Sequence, residues 1–282
     1  MCALRSLRCA AALLVVLGTA PAHGQDGWFK AYEARLASTL AAQPHWATPL
    51  VTTNPRVEED IRTDFARQSL AGRHSSWNYG GTKGLQIVPL RWVELRFSPP
   101  PFITHTNPKL EDGFGDVAFR AKMRLYGSSE QNHDAIVTAL LGASVPTGKS
   151  GNGSCCAILM PTLEAGKGFG KADFVTSLGG TLPVTNAPKL GRQFVWNNVA
   201  QLHAVGLVWT ELEINSTFYY GGSNDAKQQT FATPGVIVSR IPLNTSGGVV
   251  RLRITLAVGE QIALTHFNTY NHSPIFSARV RF

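Results

Sequence analysis

A strict alternation of side-chain character marks the end of this chain, from Pro274 to Phe282. One face of the segment is apolar and the other is polar and cationic: Phe276, Ala278, Val280 and Phe282 oppose Ser277, Arg279 and Arg281. Successive side chains of a strand point to opposite faces, so such a strand suits a wall between lipid and a polar lumen. The alternative for this segment alone is an edge strand of a soluble β-sandwich.

The same alternation recurs upstream in segments of about ten residues, separated by Gly, Pro, Asn and Ser clusters. The clearest are Asp116 to Tyr126, Val208 to Tyr220 and Val249 to Val258. Weaker candidates are Val57 to Arg67, Leu85 to Phe97, Ala135 to Val145, Ala157 to Gly166, Asp173 to Val184, Gln193 to Val205 and Gln229 to Arg240. With one further strand assumed to be missed, the pattern predicts an all-β fold, a transmembrane antiparallel β-barrel of about 12 strands, within a range of 10 to 14.

The first 24 residues are typical of an export signal. Arg5 and Arg8 precede an apolar core, Cys9 to Leu17, and small residues precede a predicted cleavage point near Gly24-Gln25. The apolar core is about half the roughly 20 residues that a membrane helix needs. We therefore predict export to the bacterial outer membrane of a Gram-negative cell, with residues 1–24 as signal peptide, 25–50 as a helical segment and 51–282 as the barrel.

One helical pattern follows the signal, from Asp26 to Ala42. Apolar residues recur there at every fourth position, and Pro44 and Pro49 end the pattern. Two roles remain open for this short N-terminal helix. It either plugs the barrel or packs against the rim as a periplasmic cap.

Composition excludes several classes of function. The formal charge of +8 becomes +6 without Arg5 and Arg8, and its cations are scattered, so nucleic acid is not an expected partner. Signal removal leaves the adjacent pair Cys155 and Cys156, which cannot staple distant segments together. A strained vicinal disulfide or a soft-metal contact is the alternative role for the pair. No cofactor and no metal are expected.

Motifs for catalysis are weak. Gly142 to Ser150 looks like a phosphate-binding loop, but five residues separate its glycines where that motif has four, and a turn follows instead of a helix. His203 shares a strand face with Gln201 and Asn197, which favours lumen lining over a ligand or hydrolase site. No nucleophile elbow occurs. We therefore expect no enzyme activity and no catalytic residues.

Inward-facing charge is the strongest functional signal. The expected lumen-lining side chains are Arg120, Lys122, Arg124, Glu211, Glu213, Asn215, Arg251, Arg253, Arg279 and Arg281. Rows of this kind set ion preference in pores. They also serve, in the alternative interpretation, to pair across a narrow barrel and hold it closed. On the outward face, Phe276, Val280 and Phe282 form the expected signal for the barrel-assembly machinery.

Three short motifs carry a family resemblance: Gly113-Phe114-Gly115-Asp116 with Lys122, Val145-Pro146-Thr147-Gly148, and Glu211-x-Glu213-x-Asn215 before the final Phe282. Together they resemble outer-membrane proteins of the meta-pathway phenol-degradation family. The resemblance spans Val57 to Phe282. It implies a barrel that takes up small hydrophobic or aromatic compounds, and it implies no catalytic residues.

The leading hypothesis is an outer-membrane channel for passive passage of small organic solutes, gated by the N-terminal helix or by a loop such as Gln68 to Gly84. Its expected partners are outer-membrane lipid, the assembly machinery and the solute. One rival is an outer-membrane enzyme acting on lipid through His203, Ser144 or Ser216. The others are a structural or surface-interaction barrel and a soluble secreted β-protein.

Overall fold

The computed structural model describes residues 22–81, 84–149, 151–243 and 252–282. Fifteen β-segments within them form one antiparallel sheet, which closes on itself because β1 pairs with β15. The segments are β1 Asp60–Ser69, β2 Ser75–Tyr79, β3 Leu85–Leu90, β4 Val93–Ser98, β5 Phe102–His105, β6 Gly113–Phe114, β7 Val117–Ser128, β8 Ala135–Val145, β9 Ile158–Phe169, β10 Ala172–Pro183, β11 Arg192–Val205, β12 Val208–Tyr220, β13 Gln228–Pro242, β14 Arg253–Ala263 and β15 His272–Arg281. The helices are α1, Ala22–Ala41, and the short α2, Ala187–Leu190.

These fifteen segments build a closed barrel of twelve strands, which confirms the predicted fold class. Three of the barrel strands are interrupted and therefore count twice as segments. β2 and β3 together form the strand next to β1. β4 and β5 form the strand after that, in which β4 pairs with β3 and β5 with β2. β6 and β7 form the third interrupted strand, in which β6 pairs with β5 and β7 with β4. Glycines and prolines cause the breaks, because Gly80 and Gly81 adopt positive φ and Pro99 to Pro101 include no backbone N–H donor.

Two local predictions in this region are wrong. Leu85 to Phe97 is not one strand but a hairpin, β3 and β4, in which Leu90 pairs with Val93. A two-residue turn alone would exchange odd and even positions, but a register shift between Ile87 and Leu90 restores them. The outward residues Ile87 and Leu95 therefore stay in phase and imitate one strand. The proposed loop from Gln68 to Gly84 contains β2.

The two faces of the wall differ sharply. On β7, Phe119 points outward and is 48% exposed, whereas Lys122 points inward and is 2% exposed. The outward face carries exposed apolar side chains on almost every strand, and aromatic pairs bridge neighbouring strands, such as Phe97 and Phe119 at 5.5 Å. The inward face is polar and charged but buried. This inversion of a soluble fold is what a lipid-facing wall requires.

The ends of the barrel are also unlike. Short turns connect β3 to β4, β9 to β10 and β11 to β12 at the end where β1 begins and β15 finishes, which we call the terminal end. Longer connections, from β8 to β9 and from β14 to β15, lie at the opposite, loop end. Within the described residues, no helix is both long and apolar enough to cross a membrane.

Helix α1 sits on the rim at the terminal end. Its Arg35 donates from Nη2 to the carbonyl of Val88 at 3.3 Å, and Nη1 contacts the carbonyl of Pro89. Its Tyr32 hydroxyl contacts the carboxylate of Glu59, and Trp28 is 63% exposed. The helix itself therefore does not fill the lumen. The division into a helical segment, 25–50, and a barrel, 51–282, stays a prediction. The first strand of the barrel, β1, begins at Asp60.

Candidate functional site: the lumen and its plug

An extended stretch without regular secondary structure, residues 42–59, lies inside the barrel; we call it the plug. Three of its apolar side chains, Trp46, Leu50 and Val57, are between 0 and 4% exposed. Because the plug joins no strand, its backbone N–H and C=O groups need other partners in the interior. The inward side chains of the barrel supply many of them.

Carboxylates on β12 bind the plug's N–H groups. The backbone N–H of Leu50 donates to Oε1 of Glu211 at 3.1 Å. Those of Val51 and Thr52 donate to the two carboxylate oxygens of Glu213, at 2.7 and 2.6 Å. Glu213 is fully buried. Charge-assisted bonds of this length are about twice as strong as neutral ones, so Glu213 is the central anchor of the plug.

Cationic side chains bind the plug's carbonyls from β15 and β1, which are three and four strands away from β12 around the barrel. Arg279 on β15 donates to the carbonyls of Thr48 and Pro49, at 2.9 and 2.6 Å. Arg62 on β1 donates to the same Pro49 carbonyl at 3.1 Å. The plug is thus held between acceptors on β12 and donors on β1 and β15. Backbone N–H groups and backbone carbonyls of the plug therefore both find partners in the wall.

A buried ion cluster holds the second half of the plug, which leads into β1. Lys122 on β7 donates to the carbonyl of Arg56 at 2.8 Å and to Glu94 of β4 at 3.0 Å. Arg56 pairs with Glu58 at 2.7 Å, and Arg281 contacts the same carboxylate of Glu58. Burying so many charges is tolerable only because each is paired or hydrogen-bonded.

Shape complementarity completes the seat. Leu50 packs with Ile237, Ala257 and Ile275, and Trp46 packs with a second cluster, Ile136, Val175 and Val199. Two inward glycines make room: a Cβ at Gly259 would lie 2.6 Å from Leu50 Cδ2, and one at Gly166 would lie 2.6 Å from Trp46 Cζ3. Real Cβ atoms do not approach so closely, so larger residues there would displace the plug.

Loop residues at the terminal end hold the plug where it enters. Glu130 accepts from Nδ1 of His45 at 2.9 Å and also contacts the His45 backbone N–H. Partial burial alone would raise the pKa of the Glu130 carboxyl, but the hydrogen bonds from His45 outweigh it and leave that pKa below its usual value. Asp134 accepts from the indole of Trp46 at 3.0 Å, and partial burial raises its pKa.

Most of the expected lumen residues lie at the plug. Glu211, Glu213, Lys122 and Arg279 bind its backbone, as described above. Asn215 donates to Oγ1 of Thr52 at 2.9 Å, Arg120 donates to Oγ1 of Thr53 at 3.2 Å, and Arg124 donates to the carbonyl of Thr39 in α1 at 2.8 Å.

The remaining expected residues lie elsewhere. Arg253 is exposed at the terminal end, and Arg251 is outside the described residues. Phe276 and Phe282 are exposed, and Val280 is half-buried.

Several contributors escaped the sequence analysis. The alternating charges of Arg62 and Asp64 on β1, and of Glu94 and Arg96 on β4, were visible in predicted strands and could have been included. The plug itself could not be found in this way because it has no periodicity. Its nearest signal was the unusual density of charge at Arg56 to Asp60.

A cavity of about 380 Å³ lies beyond the plug, toward the loop end. Its lining combines polar and apolar side chains, among them Asn78, Arg96, Arg120, Asn152, Ile103 and Met160. Arg96 donates from Nε to Oε1 of Gln86 at 2.8 Å, whereas its buried Nη1 has no hydrogen-bond partner among the described residues. A buried donor without a partner favours an acceptor in the cavity.

Residues 146–149 and 151–157 form a cap over this cavity, which we call the 146–157 cap. The carboxylate of Asp116 accepts from the backbone N–H groups of Thr147, Gly148 and Ser154 at 3.0, 2.9 and 2.7 Å. Asn152 in the cap lies 2.7 Å from the His105 ring. The Gly-Phe-Gly-Asp and Val-Pro-Thr-Gly motifs are therefore two halves of one structure, in which an aspartate organises a loop.

The candidate hydrolase residues have separate partners in the described structure. His203 stacks on Trp209 with ring centroids 4.5 Å apart, and its Nε2 lies 2.7 Å from the carbonyl of Gly206. Ser216 contacts Thr230 at 3.1 Å, and Ser144 lines the cavity. Gln201 donates to Glu211 at 2.8 Å.

Comparison with known proteins finds a similar fold. A solved structure described as the COG4313 outer membrane channel from Pseudomonas putida F1 aligns with a TM-score of 0.55 and 10% identity, covering 84% of this chain and all of that one. A second structure, from work on in-meso crystallisation of membrane proteins, aligns at a TM-score of 0.43 and 12% identity over 79% of this chain and 83% of that one. No family model matches, so the predicted phenol-degradation family is not confirmed. No curated protein matches in sequence.

Proposed function

We propose that this protein is an outer-membrane channel through which small organic solutes pass passively once the plug leaves the lumen. The observation that carries the proposal is how the plug is held. It is bound by side chains of the lumen wall and is not a strand of the sheet, so it can leave without opening the barrel. The similarity to a fold described as an outer membrane channel supports the same proposal.

Orientation follows from general rules for bacterial barrels. Their termini and short turns face the periplasm, and their longer loops face outward. With this orientation the plug enters from the periplasm, and the cavity beneath the 146–157 cap is the outer vestibule. Export by a cleaved signal at Gly24-Gln25 and delivery through the C-terminal strand complete the proposal.

The vestibule chemistry favours a small organic anion as solute. Guanidinium groups of Arg96 and Arg120 lie beside apolar residues such as Ile103 and Met160. An aromatic carboxylate or a phenolate offers both a ring and an anionic oxygen to such a lining. We therefore propose that the solutes taken up include aromatic anions.

Single-channel conductance of the refolded protein in a planar bilayer tests both parts. We expect steps of current that benzoate blocks more strongly than benzyl alcohol. An Arg96→Gln variant is expected to lose about tenfold or more of the benzoate block, because a charge-assisted bond contributes about 1.5–3 kcal/mol. Glu260→Gln, an exposed outward residue, is the control. Equal block by both solutes would contradict the anion preference, and a silent barrel would contradict the channel.

The proposal assigns no catalysis to the barrel. Purified protein is expected to release no fatty acid from phospholipid vesicles. Lipid hydrolysis that is lost in Ser144→Ala, Ser216→Ala or His203→Ala would contradict this and favour the lipid-acting enzyme.

A further inference from the structure

The vicinal cysteines have no place in the transport proposal, yet the structure holds them in a particular way. Cys155 is exposed and Cys156 is buried, and their Sγ atoms lie 2.8 Å apart. Both belong to the 146–157 cap at the loop end of the barrel. Thiols exported from the cytoplasm meet oxidising conditions, in which neighbouring cysteines become disulfides.

The backbone on both sides of the pair is pinned. Just before it, the N–H of Ser154 donates to Asp116 at 2.7 Å. Just after it, the carbonyl of Ala157 accepts from the N–H of Val184 at 2.9 Å, at the end of β10. The sulfur atoms are therefore held together by the fold and need not search for each other.

A polar side chain from another loop completes the site. Asn186 donates from Nδ2 to Cys156 Sγ at 3.3 Å and lies 3.9 Å from Cys155 Sγ. The hydrogen bond from Cys155, with further bonds from Thr185 and Asn186, lowers the pKa of the Cys156 thiol. Since the thiolate is the reactive form of cysteine, this arrangement favours the buried Cys156 as the sulfur that closes the bond, after the exposed Cys155 has met an external disulfide.

We propose that Cys155 and Cys156 are a redox modification site, which closes to a vicinal disulfide in the exported protein and fastens the cap over the vestibule. The exposed Cys155, as its thiolate, attacks a disulfide of a periplasmic oxidoreductase or small disulfide, forms a mixed disulfide and expels one thiolate. The Cys156 thiolate then attacks the Cys155 sulfur of the mixed disulfide and expels the second. Two protons and two electrons leave the pair, and the exchanging disulfide is reduced to two thiols.

The site is next to the vestibule. Asn152, Gly153 and Ser154, which immediately precede the pair, line the 380 Å³ cavity. Closing the small ring restricts the backbone between those residues and β9. Reduction is therefore expected to loosen the cap, and the same loop would then exchange its amide hydrogens faster.

Mass spectrometry of protein extracted from outer membranes tests the proposal. Trypsin cleavage at Lys149 and Lys167 releases one peptide that contains both cysteines. We expect this peptide to resist alkylation by N-ethylmaleimide, to be lighter by two hydrogens than the reduced form, and to accept two labels after reduction. Full alkylation without reductant would overturn the proposal. So would a disulfide-linked dimer of the chain, which separates on reduction.

Two variants sharpen the test. In Cys156→Ser, the remaining Cys155, which is exposed, is expected to be alkylated without reductant, which shows that the reagent reaches the site. In Asn186→Gly, which removes the donor and retains the positive φ of residue 186, re-oxidation by glutathione disulfide is expected to slow severalfold. An unchanged rate would exclude Asn186 from the site. None of these results depends on whether the barrel conducts.

Discussion

At the scale of single residues, the interior of this barrel is organised by charged side chains that bind the plug. Glu213 illustrates the principle. Its position in an alternating strand made it an expected lining residue of a pore, and the structure brings two backbone N–H groups of the plug to its carboxylate. A side chain that would bias ions in an open lumen thus stabilises the closed one.

Glu213→Gln is expected to weaken the plug without harming the barrel wall. The amide retains one acceptor oxygen but turns an N–H donor toward a donor of the plug. Losing one charge-assisted bond costs about 1.5–3 kcal/mol, so the open fraction in single-channel recordings is expected to rise about tenfold or more. Glu260→Gln should leave it unchanged. A rise in both variants would show that the effect does not come from the plug.

Asp116 has a comparable role at the other end, in the cap. Asp116→Asn is expected to lose acceptor strength toward the N–H groups of Thr147, Gly148 and Ser154. We expect the cap to be cut more readily by proteases at Lys149, while the barrel remains folded and heat-modifiable on gels. Asp225→Asn, in a different loop, is the matched control. Equal cleavage of both variants and the unmodified protein would contradict this role.

At the scale of elements, the plug differs from the wall in what determines it. The wall is specified by alternation of period two, which is visible in any single strand. The plug is specified by partners from β1, β4, β7, β12 and β15, which are separated by long stretches of sequence. Because the plug pairs with no strand, its release would leave the strand pairing of the wall intact.

Acid is expected to loosen the plug where it enters the barrel. Glu130 is ionised when it accepts from His45, and its pKa is lowered in the fold. A lowered pKa means that the stabilisation is present above the ordinary carboxyl range and is lost as pH falls through the folded value. Open events should therefore become more frequent below about pH 4.5. In Glu130→Gln this acid response should disappear. An identical pH profile in that variant would place the titration elsewhere.

The last strand, β15, is expected to govern assembly. It closes the barrel by pairing with β1, and Phe276 and Phe282 are exposed on the outside. Phe282→Ser is expected to lower the amount of barrel in the outer membrane severalfold, measured by fractionation, with the remaining protein accumulating in the periplasm. Phe169→Ser, another exposed aromatic residue, should have a much smaller effect. Equal losses would argue for general lipid contact instead of a signal.

At the scale of the whole molecule, the closed barrel of twelve strands could be predicted, whereas its contents could not. Eleven candidate segments were enough to predict the barrel, because the alternation within a single strand shows which residues face outward. Phe119, Ala121 and Met123 are an example. The hairpin of β3 and β4 was missed because a register shift between Ile87 and Leu90 keeps the outward residues of both strands at odd-numbered positions. The family resemblance drew attention to Asp116 and to the Val-Pro-Thr-Gly segment. It did not predict that Asp116 accepts hydrogen bonds from that segment, which the structure shows.

The lumen shows the limit of the same reasoning. Alternation predicts that Arg120, Lys122 and Arg279 point inward, but it does not say what they meet there. Water, an opposite wall and a peptide are equally compatible with an inward cation. Only the fold reveals that Leu50 and Trp46 lie in the interior, in spaces left by Gly259 and Gly166.

We propose that residues 42–59 close a lumen that is otherwise passable. The most direct test tethers the plug in place. Thr52→Cys and Asn215→Cys, whose native side chains meet at 2.9 Å, are joined by a short reducible bis-thiosulfonate crosslinker in a Cys155→Ser and Cys156→Ser background. Single-channel current is then recorded before and after reductant. We expect few or no openings with the tether closed and frequent openings after reduction. Openings that are equally frequent in both states would contradict it.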